Sequence, residues 1–131
     1  MKNLRALIII FISGTIINVW LFRLNTETPF RGGDATTLME EFLVYGLNKN
    51  IFYLVGGLKI VASILLLFGI YFKRVILPSA SLILLIMLIA MFMHFKVGDS
   101  FYKHLPALII FALSGALILI EKQLIFKKYQ H

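Results

Sequence analysis

Lys59, His94, Asp99 and His104 are the side chains of this 131-residue protein best suited to chemistry, and the first two stand in almost wholly apolar surroundings. An ammonium holds an anion or donates to a carbonyl, and an imidazole does the same or passes a proton near neutral pH. Lys59 lies within the apolar run 51–72, about eight residues below its outer end, or roughly 12 Å at 1.5 Å per residue. A charge at that depth costs on the order of 2.5–3.5 kcal/mol on insertion scales, so something must hold it. Gly56, Lys59 and Ser63 share one helical face, where small neighbours favour close packing around the cation. Its partner is either a ligand or an acid of the outer segments, Glu40, Glu41 or Asp99.

His94 ends an apolar face formed by Met87, Ala90 and Met91, where it either contacts a ligand carbonyl or serves as a satisfied interfacial side chain. Asn18 and Arg23 close the first apolar run, Lys96 and Asp99 follow the third, and His104 opens the fourth. Lys59, His94, Asp99, Asn18, Glu40, Glu41, His104 and Ser63 are therefore the expected lining of a polar pocket that opens outward. The inner half offers mainly Ser79, Ser81 and Ser114.

Other chemistries are excluded by what is missing. There are 0 cysteines, which removes thiol catalysis, a redox dithiol and a cysteine-ligated metal. His94, Asp99 and His104 do not follow a metal-ligand spacing, and Gly32-Gly33 lacks the remainder of a phosphate loop. No nucleophile elbow and no HExxH pattern occur, so no catalytic residue is assigned and a non-enzymatic role is favoured. No metal and no cofactor are expected, and a quinone is the alternative bound molecule.

These residues must be positioned by membrane helices. The apolar set makes up 60% of the chain before its 9 glycines are counted, well above the roughly 45–50% of a soluble domain, and only 15% is charged. Four runs are long enough to cross about 30 Å of hydrocarbon, at about 6–22, 51–72, 75–95 and 105–120. The first continues through Ser13-Gly14-Thr15 without an Ala-x-Ala-like cleavage site, so it is expected to be a retained span. Pro78 falls in the first turn of the third, where a missing N–H does least harm.

Between the first two spans, Leu38, Met39, Phe42, Leu43 and Tyr45 occupy one arc and Thr36, Thr37, Glu40 and Glu41 the other. Thr37-Leu38-Met39-Glu40 has the form of a capping box and Gly46 that of a helix stop. The expectation is an all-α, single-domain bundle over 1–131, with a short amphipathic interfacial helix at about 36–47 lidding the pocket.

Four spans put both termini and the Lys73-Arg74 turn on one side, with a charge balance of +6 against zero on the other. Seven basic residues against five place the termini in the cytoplasm by the positive-inside rule. Phe126-Lys127-Lys128-Tyr129 then serves as an anchor to anionic lipid rather than as a nucleic-acid contact.

The run Gly56-Gly57-Leu58-Lys59-Ile60-Val61-Ala62-Ser63-Ile64-Leu65-Leu66-Leu67 resembles the second helix of DoxX-like membrane proteins. Met93-His94-Phe95-Lys96-Val97-Gly98-Asp99, with Leu105-Pro106-Ala107-Leu108, is similar to that family's histidine-to-Gly-Asp segment and the start of its last helix. The resemblance covers about residues 5–121 and carries over Lys59, His94, Gly98 and Asp99. It implies a four-helix membrane bundle, set in a bacterial inner membrane.

The wider family is associated with membrane redox complexes, including quinone-linked thiosulfate oxidation, and a related animal branch assists assembly of acetylcholine receptors. The fold is also similar to small lipid- and sterol-handling proteins. The expected function is accordingly that of an accessory protein binding a lipid-like ligand, a membrane-protein partner or a second copy of itself. The alternative is a quinone-linked subunit whose redox centre lies on a partner. Four-span drug exporters carry an acid in the first span, where this chain has Asn18, and transport is set aside.

Overall fold

The computed structural model describes residues 2–129, and among them all the regular structure is helical, with five α-helices. Helix α1 (Lys2–Ile17) continues into a π-helical turn, Asn18–Phe22. The short α2 (Leu38–Val44) precedes α3 (Lys49–Phe68), α4 (Ile76–Lys96) and α5 (Phe101–Tyr129). Asn3–Phe22, Lys49–Phe68, Lys73–Lys96 and Phe101–Tyr129 are each long and apolar enough to cross a membrane. At 1.5 Å per residue, 20 residues span about 30 Å. The long helices pack in a ring, α1 on α3, α3 on α4, α4 on α5 and α5 back on α1, and α2 leans on α3.

The expected spans are all present, but the second ends at Phe68, four residues before the expected 72, and the last is longer at both ends. The last helix starts four residues earlier than expected and runs through the polar tail to Tyr129, because Glu121 is buried against α1 and carries the helix onward. Pro106 therefore sits inside α5 rather than at its start, and its ring removes the bond that would run to the Tyr102 carbonyl. Pro78 falls in the first turn of α4, where it costs no bond.

The interior of the ring is built from Ile9, Ile12, Leu66, Ile76, Ile83 and Leu117, all fully buried. Buried serines allow the backbones to approach, and Ser13 Oγ donates across the α1–α3 contact to the Ser63 carbonyl at 3.0 Å. The outward faces are apolar: Leu7, Leu21, Phe92 and Leu119 are among the large exposed side chains. Aromatic residues mark both rims, with Phe22, Tyr53, Phe95 and Phe101 at one end and Tyr71, Phe72, Phe126 and Tyr129 at the other. A ring that is apolar inside and outside has lipid as its solvent.

One ion pair closes the ring at the end that carries the termini. Arg5 Nη1 lies 2.7 Å from Glu121 Oε1, and the residues are only 6% and 3% exposed. Charges withdrawn from water this far depend on each other, so losing one partner is costlier than losing both. Glu121→Gln should destabilise the protein by about 3–5 kcal/mol in reversible unfolding from detergent micelles, whereas Arg5→Met with Glu121→Leu should recover most of that loss.

Candidate functional site

The opposite end, where the 23–48 connection and the 97–100 turn lie, holds a chain of buried polar side chains. Asp99 is its pivot. Helix α4 ends in a left-handed turn at Gly98, φ 74°, and the following N–H groups fold back: Gly98 N–H donates to the Phe95 carbonyl at 3.1 Å and Asp99 N–H to the His94 carbonyl at 3.0 Å. That closure returns the Asp99 side chain to the imidazole five residues earlier, and His94 Nδ1 lies 2.7 Å from Asp99 Oδ2. The second carboxylate oxygen accepts from Gly33 N–H at 2.9 Å, and Lys103 Nζ stands 3.8 Å away. Burial opposes ionisation of Asp99, but His94, the Gly33 N–H and Lys103 outweigh it and hold the carboxyl below the usual carboxylate range.

Helix α2 supplies the other half. Thr37 caps it by accepting from Glu40 N–H at 3.1 Å, as the sequence predicts, but Glu40 reaches back to Thr36 N–H at 2.8 Å and Thr36 Oγ1 at 2.9 Å instead of to Thr37. Those bonds, the backbone one first, hold the Glu40 carboxyl below its ordinary range. Gly46, φ 83°, stops the helix, with Leu47 N–H donating to the Phe42 carbonyl at 3.0 Å.

Glu41 and Tyr45, one turn apart, then face α4. Tyr45 Oη is 2.6 Å from Glu41 Oε1 and 3.2 Å from His94 Nε2. Burial, then the charge of Glu41, pushes the Tyr45 hydroxyl well above its ordinary value, so it is a proton donor at any ordinary pH. Glu41 Oε2 is 3.6 Å from Arg31 Nη1, while Arg31 Nη2 donates to the carbonyls of Arg23 at 2.8 Å and Thr26 at 3.1 Å, pinning the connection over α1.

The result is one continuous string, Arg31–Glu41–Tyr45–His94–Asp99–Lys103. With Nδ1–H given to Asp99, counting protons leaves two arrangements in which every bond is made. Either Nε2–H donates to Tyr45 and Tyr45 to Glu41, or a protonated Glu41 donates to Tyr45 and Tyr45 to a bare Nε2. They differ by the transfer of one proton between His94 and Glu41.

Beside this string is a cavity of about 480 Å³. Glu41, His94, Arg31 and Lys103 border it at one end with Arg23 and Thr28, and its apolar walls include Ile16, Val19, Met87, Ala90 and Ile110. Phe11 and Ile109 line it while remaining 51% and 48% exposed, so it reaches the lipid-facing surface between α1 and α5. Lys59 lines the same cavity, its ammonium 5.2 Å above the Trp20 ring. Trp20 is buried against Phe42 and Phe52, with centroids 5.8 Å and 5.1 Å away, and Gly56 gives it room: a Cβ there would meet the indole at 2.5 Å. Lys59 has no carboxylate within 4.0 Å among the described residues, since Glu41 is taken by Arg31, Tyr45 and His94.

Of the residues expected to line the pocket, Lys59, His94 and Glu41 border this cavity and Asp99 stands directly behind His94. His104 packs its ring 5.3 Å from that of His94 and turns Nδ1 to the Ser100 carbonyl, 3.2 Å away. Ser63 is buried in the α1–α3 contact instead. Asn18 and Glu40 are exposed and away from the cavity walls: the π-helical turn presents Trp20 to the interior and Asn18 to the surface, and Glu40 is occupied as a cap. Arg31, Tyr45, Lys103 and Trp20 complete the site without having been expected there. The amphipathic arc that placed Tyr45 inward was their one sequence signal. Among the described residues no group of three acidic or imidazole side chains is arranged to hold a metal ion.

Comparison with known families agrees with this architecture. A family model described as the DoxX-like family matches residues 31–117, about two thirds of the chain, and the protein belongs to that family. The match takes in α2, α3, α4 and most of α5, and with them Glu41, Lys59, His94, Gly98 and Asp99, while α1 lies outside it. Searches of curated proteins and of solved structures found no match.

Two outcomes follow from the Asp99 pivot. A Cβ at Gly98 meets open space, so Gly98→Ala carries only the left-handed backbone penalty, about 1–2 kcal/mol, and should lower the unfolding free energy by that amount while shifting the His94 imidazole resonances. Asp99 has a depressed carboxyl, so its stabilisation is fully present above the ordinary value of 3.8 and is lost as pH falls through the folded-state value. The stability gap between wild type and Asp99→Asn should therefore narrow as pH falls below that ordinary value.

Proposed function

We propose that this DoxX-like membrane protein is a non-catalytic accessory protein whose cavity binds a lipid-like ligand. The observation that carries the reading is the cavity's polarity gradient: charged groups at the loop end, aliphatic walls beyond, and an opening between α1 and α5 toward the acyl region. Its volume, about 480 Å³, falls within the roughly 300–1,000 Å³ of small-molecule sites. The orientation proposed is both termini in the cytoplasm of a bacterial inner membrane, with the cavity in the outer half, in keeping with the excess of basic residues on the terminal side.

A second reading, a quinone-linked subunit whose redox centre lies on a partner, draws support from Lys59 and His94 bordering one cavity. Mass spectrometry of small molecules retained through a mild native purification separates the two. A stoichiometric amphiphile is the expected result; stoichiometric quinone would favour the redox subunit, and a co-purified membrane protein with an empty cavity would favour partner binding. Lys59→Met should leave the helical content intact and lower the retained amphiphile several-fold. Unchanged retention would remove Lys59 from the site.

A further inference from the structure

We propose that the cavity selects a single-chain amphiphile with an anionic head, a carboxylate or a phosphate monoester, and that Lys59 is the residue that holds the head. This rests on the reading of the cavity as a lipid-like site and names the ligand's chemistry.

Four cationic side chains border the cavity, Arg23, Arg31, Lys59 and Lys103, against one carboxylate, Glu41. Two of the four are already engaged. Arg31 is held by Glu41 and two backbone carbonyls, and Lys103 by the Gly33 carbonyl at 2.6 Å and by Asp99. Lys59 and Arg23 have no acidic partner among the described residues, within the 4.0 Å that defines an ion pair.

For Arg23, at the exposed end of the first span, water suffices. For Lys59, inside α3 at membrane depth, it does not, because an uncompensated ammonium there carries the cost of desolvation. The Trp20 face offsets only part of it, on the order of 0.5–2 kcal/mol for a cation–π contact. Lys59 lines the cavity, where an anionic head would satisfy the ammonium. The aliphatic walls at Ile16, Val19, Met87 and Ile110 then accept one alkyl chain, and the gap flanked by Phe11 and Ile109 admits it from the bilayer.

Trp20 is the protein's 1 tryptophan, and it touches both the cavity and Lys59, so saturable quenching of its fluorescence reports occupancy of this place. Brominated single-chain carboxylate, phosphate monoester and neutral alcohol of equal chain length are titrated into the protein in an uncharged detergent. Saturable quenching at one molecule per chain is expected for both anions, ~10-fold tighter than for the alcohol, the difference one charge-assisted contact makes. Comparing the two anions tells a fatty acid from a phosphate headgroup as the source. Lys59→Gln should abolish the preference and Lys59→Arg restore it. Where Lys59→Gln does not fold, Lys59→Arg and Arg23→Gln decide, both being expected to keep the wild-type preference, and its loss in Arg23→Gln would move the head to Arg23 and overturn the assignment to Lys59.

Equal binding of anions and alcohol to wild type would overturn the anionic head while leaving an amphiphile site standing. No saturable quenching by any of the three would overturn both.

Discussion

An ionised side chain placed where lipid replaces water must find its counter-charge in the protein or in a molecule bound to it, and the loop end of this bundle is organised by that constraint. Asp99 carries most of it. One left-handed glycine at the end of α4 turns the chain so that Asp99 meets both the backbone and the imidazole of His94, and the same carboxylate collects the Gly33 N–H and approaches Lys103. Three separate segments are thus tied to one side chain. Tyr45 and Glu41 continue the string to Arg31, which fixes the long connection over the end of α1. The order of this irregular stretch comes from charge satisfaction, since α2 alone, at 7 residues, is too short to be stable by itself.

The same satisfaction explains why the cavity has the character it has. Glu41 is the one acid on its wall, and its oxygens are spent on Tyr45, His94 and Arg31. Lys59 is left with an indole face and the cavity it lines, Glu41 acting on it only from beyond ion-pair distance. A structural ion pair, the simplest account of a lysine in a span, is not what the geometry contains. The buried pair at the other end, Arg5 with Glu121, shows what such an arrangement looks like in this protein: a direct 2.7 Å contact closing two helices.

Much of the architecture was legible before any coordinates. Hydropathy alone marks the four spans, because only a helix can carry its backbone through hydrocarbon, and the period of Leu38, Phe42 and Tyr45 marks the helix between the first two. His94 and Asp99 were legible as candidates because ionisable groups near span ends stand out against an apolar background. What the sequence withheld was registration between helices. Nothing local says that Arg31, in the irregular stretch before α2, returns to Glu41, or that Lys103 rather than His104 meets Asp99. Asn18 and Glu40 show the reverse: both have suitable chemistry and depth, but a π-helical turn and a capping role direct them to the surface.

The central claim is that an amphiphile lies in the cavity with its head at Lys59 and its chain between α1 and α5. Anomalous diffraction from crystals grown with a chain-brominated single-tail acid tests it most directly. The account predicts bromine peaks inside the ring, beside Ile16 and Ile110, with the carboxylate within hydrogen-bond distance of Lys59 Nζ. Bromine found only on the outer, lipid-facing surface of the helices, with Lys59 still facing empty space, would contradict it.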